Sequence, residues 1–323
     1  MMARPSLCLP LRPSFSCIHA NKILLGQLLF VHEFRRLFRA ASNVFWTLFL
    51  FTKSDYKTIM LPIMACVLAT CPDLEPGNLS LSILWTWLHL LQFCVSNQTL
   101  SVDEDAANKP WRPLPSGRIS IATAETLRWW MTPLCIAYSA RQGVLLPSIA
   151  LTVMTYVHNE LGFHSGWLGK NVCSALGYMA FEWGAIAIAS SSRLLNIPAQ
   201  HWTNVINAVA ISGLLLLTTI HAQDFKDVVG DRLQGRRTLP IAMPSLSRTS
   251  LFVAMSFWSF LLPQLWQVDL SIALPFGALG FLVGLQCYWY RSAKADRIMY
   301  MIYNVWLGWA LILPVLGHRY QRT

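Results

Sequence analysis

Long apolar runs, separated by short polar segments, constrain this chain more than any other feature of its sequence. An α-helix needs about 17 to 25 apolar residues to cross a hydrocarbon core about 30 Å thick. Charged residues form 12% of the chain, about half the share usual in soluble domains. The runs predict an all-α integral membrane protein with nine transmembrane helices, at residues 54–71, 79–104, 119–139, 143–161, 169–190, 201–226, 249–267, 270–290 and 298–317.

The segment before the first predicted span mixes charged and apolar residues. Residues 26–51 hold Glu33, Arg35, Arg36 and Arg39 among Leu, Phe and Trp. This mixture is typical of an amphipathic helix at a membrane interface. We therefore expect an interfacial helix here, with an extra span over the C-terminal half of the segment as the alternative.

The basic residues are distributed unevenly between the two sides that nine spans would create. Most Lys and Arg fall on the side of the N-terminal arm, and the opposite side holds Arg141, Arg193, Arg319 and Arg322. The excess of basic residues marks the cytosolic side, so we expect a cytosolic N-terminus. The net charge of +10 then reflects membrane topology, and we expect membrane lipid rather than nucleic acid as its partner. With no evident organelle signal, we expect the endoplasmic reticulum.

Two acidic clusters lie at the basic, cytosolic ends of the second and sixth predicted spans. Each is spaced to share one face of a continuous helix: Asn97, Ser101, Glu104 and Asp105 in the first, and Asp224, Asp227 and Asp231 in the second. Each is followed by basic residues: Lys109, Arg112 and Arg118 after the first, and Arg232, Arg236 and Arg237 after the second. Solvated loop charges would explain either cluster alone, but not two matching clusters.

Carboxylates at the end of a membrane helix repel one another unless a positive charge lies between them. Mg²⁺ is bound through a few carboxylates together with substrate phosphates, and Arg side chains grip phosphate oxygens in pairs. The eight cysteines fall in no CxxC or Cys/His spacing, so they imply neither a zinc site nor a disulfide framework. The clusters therefore predict a site for Mg²⁺ and a diphosphate.

These residues resemble the motifs of the UbiA superfamily of intramembrane prenyltransferases. The family has nine helices, with the motif NDxxDxxxD on the second and DxxxD on the sixth. The first is represented by Asn97-Gln98-x-x-Ser101-x-x-x-Asp105 and the second by Asp227-x-x-x-Asp231. The strings Arg112-Pro113-Leu114-Pro115-Ser116-Gly117-Arg118 and Gly235-Arg236-Arg237-Thr238-Leu239-Pro240 are also characteristic of the family. The resemblance implies an N-terminal cytosolic arm at residues 1–25 and a UbiA-type domain at residues 26–323.

The resemblance implies roles for the residues that match the motifs. Mg²⁺ would be held by Asn97, Asp105, Asp227 and Asp231, which would take part in catalysis, with Glu104 and Asp224 as further candidates. The diphosphate would contact Lys109, Arg112, Arg118 and Arg232. Lys170 and Asn171, which open the fifth predicted span on the same side of the membrane, are further candidates, with simple flanking of a cytosolic helix end as the alternative for Lys170. The substrate implied is a prenyl diphosphate, which loses diphosphate in the first step.

The first motif departs from the family pattern. Gln98 and Ser101 stand where the family usually has Asp, and Glu104 restores a charge nearby. The altered pattern resembles fungal members of the superfamily, which include membrane-bound terpene cyclases. It favours cyclisation of farnesyl diphosphate to a sesquiterpene in secondary metabolism over transfer to an acceptor. Prenylation of an aromatic or other acceptor remains the alternative, and a non-enzymatic transporter or scaffold is the third.

A cyclase needs a dry pocket whose aromatic faces stabilise carbocations. We expect Phe93, Tyr156, Tyr178 and Trp183 to line it, although aromatic residues also gather at membrane interfaces. Among the polar residues inside predicted spans, Glu182 lies deepest in the sequence pattern. It has two interpretations, a general base and a hydrogen bond between helices.

Overall fold

The computed structural model describes residues 15–71, 74–190 and 199–317. Across these ranges the chain is helical and forms no β-strand. It divides into two compact units, Met1–Phe49 and Leu50–Thr323. The first helix, α1 (Phe15–Thr52), crosses the division. In the first unit its side chains at residues 30–46 are exposed, among them Phe30, Phe34 and Phe38, and an interfacial position for this helix stays a prediction.

The second unit is built from helices in chain order. A π-helical turn, Tyr56–Met60, leads into α2 (Leu61–Thr70). The next helices are α3 (Pro76–Leu100), α4 (Val102–Asn108), α5 (Ile121–Gln142), α6 (Leu145–Asn159) and α7 (Trp167–Ala189). They are followed by α8 (Ala199–Thr219), α9 (Val228–Leu233), α10 (Leu239–Ala242), α11 (Pro244–Trp266), α12 (Leu270–Trp289) and α13 (Ala293–Leu316).

Each predicted span has a helical counterpart in the described residues. Five segments are long and apolar enough to cross a membrane: Pro76–Leu100, Trp167–Ala189, Thr203–Leu233, Leu270–Trp289 and Ala293–Leu316. The counterpart of the first predicted span, Tyr56–Thr70, is shorter. The all-helical architecture is thus confirmed, and the number of nine transmembrane helices stays a prediction.

The second predicted span, 79–104, is wrong at its C-terminal end. Helix α3 stops at Leu100, and Ser101 has non-helical backbone angles (φ −131°, ψ 38°). The Ser101 hydroxyl donates to the carbonyl oxygen of Asn97 at 2.9 Å, a local bond that competes with helix continuation. A new helix, α4, then begins with three acidic residues in its first turn, where the helix dipole favours negative charge.

The sixth predicted span is also interrupted. Helix α8 ends at Thr219, and two 3₁₀ turns, Ile220–Gln223 and Phe225–Asp227, precede α9. Asp224 consequently points into the protein and is fully buried, whereas Asp227 is exposed. The prediction that both acidic clusters lie on one face of a continuous helix is therefore wrong.

Polar bonds join the apolar helices of the second unit. The Trp85 indole on α3 donates to Ser139 on α5 at 2.8 Å, and the Trp306 indole on α13 donates to Ser259 on α11 at 3.0 Å. The Ser212 hydroxyl on α8 donates to Glu182 on α7 at 2.6 Å. Of the two interpretations of Glu182, the structure supports the hydrogen bond between helices, which is how polar side chains hold membrane helices together.

Candidate functional site

A large cavity lies in the second unit. Two stretches of chain that carry the acidic clusters meet there, and we call residues 97–105 the first acidic segment and residues 224–231 the second. The cavity volume is about 1080 Å³. Its walls come from the C-terminal end of α3, from α4, α6, α7 and α9, and from the start of α13. Its lining residues include acidic and basic side chains together with aromatic and aliphatic ones. The cavity is therefore the candidate site.

The first acidic segment presents Asn97, Glu104 and Asp105 to the cavity. Asp105 is buried and accepts two hydrogen bonds from the Arg112 guanidinium, at 2.6 and 2.8 Å. Burial alone would lower the pKa of Arg112, but the Asp105 carboxylate outweighs it and raises that pKa. The pair is a strong charge-assisted contact within a single connection of the chain.

The second acidic segment presents Asp227 and Asp231. Asp231 is buried and accepts from Arg236 at 3.2 Å and from the Thr238 hydroxyl at 3.3 Å. Arg236 also donates to Glu104 of the first segment, at 2.7 and 3.1 Å. This single guanidinium joins the two segments across the cavity.

The backbone fixes the connection that carries Arg236. The Arg237 amide donates to the Ser165 carbonyl oxygen at 2.7 Å, and the Trp167 amide donates to the Arg237 carbonyl oxygen at 3.1 Å. Gly235 turns the chain with a φ of 68°, a left-handed angle that glycine adopts without strain. The connection after α9 is thereby tied to the start of α7.

Asp224 lies behind the cavity wall rather than on it. It is fully buried and accepts from the Lys170 ammonium at 2.5 Å, while its other oxygen, Oδ2, has no hydrogen-bond partner in the described residues. Lys170 does line the cavity. Its neighbour Asn171 is buried outside the lining. Asp224 is therefore placed to hold Lys170 in position.

Three of the predicted phosphate contacts lie off the cavity wall: Asn171, Arg118 and Arg232. Lys109, Arg112 and Lys170 line it, whereas Arg118 and Arg232 are exposed and are absent from its described wall. Arg118 follows a tight turn at Gly117, whose φ is 68°. The structure thus brings together three of the predicted cations, and it adds Arg236 from the same run.

Two of the predicted aromatic residues also lie elsewhere. Phe93 and Tyr178 line the cavity, but Tyr156 and Trp183 are 51% and 37% exposed and do not. The reason is helical phase, because the lining residues of α6 and α7 recur every three to four positions. They are Leu151, Met154, Thr155 and His158 on α6, and Lys170, Cys173, Ser174, Gly177, Tyr178 and Phe181 on α7. Tyr156 and Trp183 fall on the outer faces, which corrects the prediction.

Several lining residues were not predicted as site residues: Asp55, Lys57, His158, His164, Lys226 and Arg236. Asp55 accepts a long hydrogen bond from the Cys94 thiol at 3.5 Å. Lys226 pairs with Asp227 and lies 4.9 Å from the centre of the Tyr300 ring. A sequence signal was available for Asp55, an acidic residue at the start of the first predicted span, where burial of a charge is costly.

The donor set fits a hard divalent cation. In the described residues, no group of three His, Cys, Asp or Glu side chains forms a complete metal cage. Mg²⁺ does not require one, because it is usually held by one or two carboxylates together with substrate phosphates and water. Gln98 lines the cavity, and its buried Oε1 has no hydrogen-bond donor in the described residues, which leaves acceptor capacity in the first segment. The residues present are therefore compatible with Mg²⁺.

Most of the chain resembles curated proteins of fungi. The chain is 32% identical over 276 residues to the fumagillin β-trans-bergamotene synthase of Aspergillus fumigatus, and the aligned region covers 83% of this chain and 91% of that protein. It is 28% identical to a diterpene cyclase of Hericium erinaceus, over 79% of this chain and 82% of that protein. It is 29% identical to a polyprenyl transferase of the same fungus, over 71% of this chain and 78% of that protein.

Solved structures share the fold. A UbiA homolog from Archaeoglobus fulgidus, bound to GPP and Mg²⁺, superposes with a TM-score of 0.58 at 14% identity, over 83% of this chain and 99% of that one. The UbiA prenyltransferase family profile matches residues 59–308, which is most of the chain. The protein therefore belongs to the UbiA prenyltransferase family and is an enzyme of the terpene cyclase or prenyltransferase type.

Proposed function

We propose that this protein ionises farnesyl diphosphate within the membrane, with Mg²⁺, and closes the prenyl chain into a sesquiterpene. The observation that carries the proposal is that one cavity holds both acidic segments and an aromatic wall. The reaction needs a charged end to stabilise the leaving diphosphate and an apolar end to contain the cation. Both ends are present in a single space.

At the charged end, the carboxylates and amide of the two segments would hold the metal: Asn97, Glu104, Asp105, Asp227 and Asp231, with Asp224 behind them. When bound, Mg²⁺ supplies neutralisation of the charge that develops on the leaving oxygen. Lys109, Arg112, Lys170 and Arg236 would grip the phosphates. Both bonds from Arg112 to Asp105 come from one guanidinium nitrogen, Nη1, so other N–H groups of this cavity-lining residue can donate to phosphate while it holds Asp105.

At the apolar end, aromatic rings offer their faces to a cation. Phe93, Tyr178 and Phe181 line the cavity. A cation near the face of a ring gains about 0.5–2 kcal/mol, and more when water is excluded. The Tyr178 hydroxyl donates its proton to a hydrogen bond with the carbonyl oxygen of Thr58. That proton is therefore not directed at the reacting prenyl chain. The cavity volume lies near the upper end of the range for small-molecule sites, which leaves room for a prenyl chain to fold.

The relatives support cyclisation, since two of the three carry synthase or cyclase names and cover about four fifths of this chain. The polyprenyl transferase supports the alternative, attachment of a prenyl chain to an aromatic or other acceptor. For the setting of the reaction, we propose a multi-pass protein in the endoplasmic reticulum with a cytosolic N-terminus. The acidic end of the cavity would then receive its substrate from the cytosolic side, in contact with membrane lipid.

The test is incubation of membranes containing the protein with farnesyl diphosphate and Mg²⁺, followed by headspace gas chromatography. A cyclic hydrocarbon formed without any acceptor is expected. Chelation of the metal should abolish it. Product that forms only when an aromatic acid or quinone precursor is added would overturn cyclisation and establish the transferase.

A further inference from the structure

Two histidines on the cavity wall have no part in the proposed ionisation. His158 lies at the C-terminal end of α6, and His164 lies in the 3₁₀ turn Phe163–Ser165. Both line the cavity. Imidazole is the side chain most often used to accept a proton near neutral pH. The question is whether either ring presents a free nitrogen to the substrate.

Hydrogen bonds fix which nitrogen of each ring carries the proton. His158 Nδ1 lies 2.8 Å from Asn159 Oδ1, and His164 Nδ1 lies 2.7 Å from the carbonyl oxygen of His158. Both oxygens can only accept, so each Nδ1 is the donor and each Nε2 carries a lone pair. Within the described residues, neither Nε2 makes a hydrogen bond.

His158 has an aromatic neighbour and a hydrogen-bonded link to the first acidic segment. Its ring lies 5.3 Å from the ring of Phe93 and 5.5 Å from that of His164. Asn159 also accepts from Asn97 of the first acidic segment at 3.1 Å, and it donates to Ser96 at 3.1 Å. Hydrogen bonds through Asn159 thus connect the His158 ring to Asn97 of the first acidic segment, and the ring lies beside Phe93.

A third histidine of the same cavity provides a contrast. His89 lines the cavity from α3. Its Nδ1 lies 2.9 Å from the carbonyl oxygen of Trp85, and its Nε2 lies 2.8 Å from the Ser148 hydroxyl. Both nitrogens are engaged, so this ring has no lone pair to offer. His89 is therefore a matched control for His158.

We propose that His158 is the base that ends the cyclisation; this rests on the function proposed above. In that step a C–H bond next to the cationic carbon breaks, and its electron pair forms the new C=C bond. The proton moves to His158 Nε2. The Nδ1–H bond to Asn159 stabilises the resulting imidazolium, and the proton then passes to the released diphosphate, which restores the neutral ring.

The experiment compares the wild type with His158→Phe and His158→Gln, using farnesyl diphosphate and Mg²⁺ in membranes. Phe keeps a ring beside Phe93, and Gln keeps a polar side chain. Two quantities are measured, the diphosphate released and the hydrocarbon formed. Because the base acts after ionisation, diphosphate release should persist in both variants. The wild-type hydrocarbon formed per diphosphate should fall about 100-fold, replaced by an alcohol or by isomers with the double bond elsewhere.

An unchanged product pattern in both variants would overturn the proposal for His158 and leave the cyclase intact. Loss of diphosphate release in both variants would overturn it as well, since a terminal base is not needed for ionisation. His89→Gln, which alters another histidine of the same cavity wall, is measured alongside. A product shift of the same kind and size in that variant would assign the effect to cavity shape and overturn the proposal. A wild type that forms no hydrocarbon would remove the proposed function itself.

Discussion

The two acidic segments neutralise their buried charges in different ways. In the first, Asp105 is held by Arg112, which lies seven residues on in the same connection. In the second, Asp224 is held by Lys170, which belongs to another helix. The first arrangement can form from a short stretch of chain. The second requires α7 and the end of α8 to be packed already.

Arg236 connects the two arrangements. It contacts Glu104 in the first segment and Asp231 in the second. A guanidinium between two carboxylates lowers the repulsion that the segments would otherwise exert on each other. The first segment forms its ion pair locally, and tertiary contacts then join it to the second. Lys170→Met, Arg112→Met and Arg236→Met each remove one of these contacts.

The largest effect is expected for Lys170→Met. It leaves Asp224 fully buried without its cation, and a broken buried ion pair costs about 3–5 kcal/mol. The thermal midpoint of the detergent-solubilised protein should fall markedly. The double variant Lys170→Met with Asp224→Asn should recover a large part of it. A single variant as stable as the wild type would mean that the pair does not hold α7 to the second segment.

A smaller and more local effect is expected for Arg112→Met. Asp105 lies in the first turn of α4 and on the cavity wall, where water can replace part of the lost contact. A hydrogen bond to a charged group is worth about 1.5–3 kcal/mol. Hydrogen exchange should increase in residues 101–120 and stay unchanged in α7. Faster exchange in α7 would contradict the local character of the first segment.

Much of this architecture could be predicted from the sequence, because its strongest signals are long and repetitive. The apolar runs predicted where the helices lie. The two acidic clusters predicted that Asp105 and Asp231 belong to one site, and both residues line the same cavity. The interruptions escaped prediction. Helix α3 ends before Ser101, whose backbone is non-helical and whose hydroxyl donates to the Asn97 carbonyl oxygen, and hydropathy does not reveal such a break.

The sequence also did not predict which side of each helix faces the cavity. Tyr156 and Trp183 have the composition of pocket residues, but hydropathy does not tell which side of a uniformly apolar helix faces a cavity. Arg236 belongs to a run of basic residues in which Arg232 and Arg237 are equally plausible by sequence. Its position depends on the backbone contacts between Arg237 and the start of α7, which involve distant parts of the chain.

A third prediction concerns the link between the segments. Arg236→Met removes the contact of Glu104 and Asp231 with their shared cation, while Asp231 keeps the Thr238 hydroxyl. Because Arg236 and Glu104 are only partly buried, stability should fall by about 1 kcal/mol. The KM for farnesyl diphosphate should rise in Arg236→Met. It should rise less in Arg236→Lys, which keeps the positive charge. An unchanged KM in Arg236→Met would show that the segments bind substrate independently of this residue.

The smallest effect is expected from pH. Burial lowers the pKa of the Lys109 ammonium, and the nearby positive charge of Arg112 lowers it further. Its ammonium therefore loses the proton at a lower alkaline pH than an ordinary lysine does. The KM for the diphosphate should rise gradually with pH in this range, and Lys109→Arg, which stays charged, should flatten the rise. An identical pH profile in the two proteins would exclude Lys109 from phosphate binding.

The most direct test of the central claim, that both segments build one ionisation site, is a double-mutant cycle on diphosphate release. Asp105→Asn and Asp231→Asn are measured singly and together with farnesyl diphosphate and Mg²⁺, and Glu125→Gln, an exposed acid outside the cavity, serves as the control. Each single variant should lower the rate by about 100-fold or more. The double variant should be little worse than the slower single one, because groups that act as a unit are not additive. Multiplicative losses, or a normal rate in either single variant, would contradict a shared site.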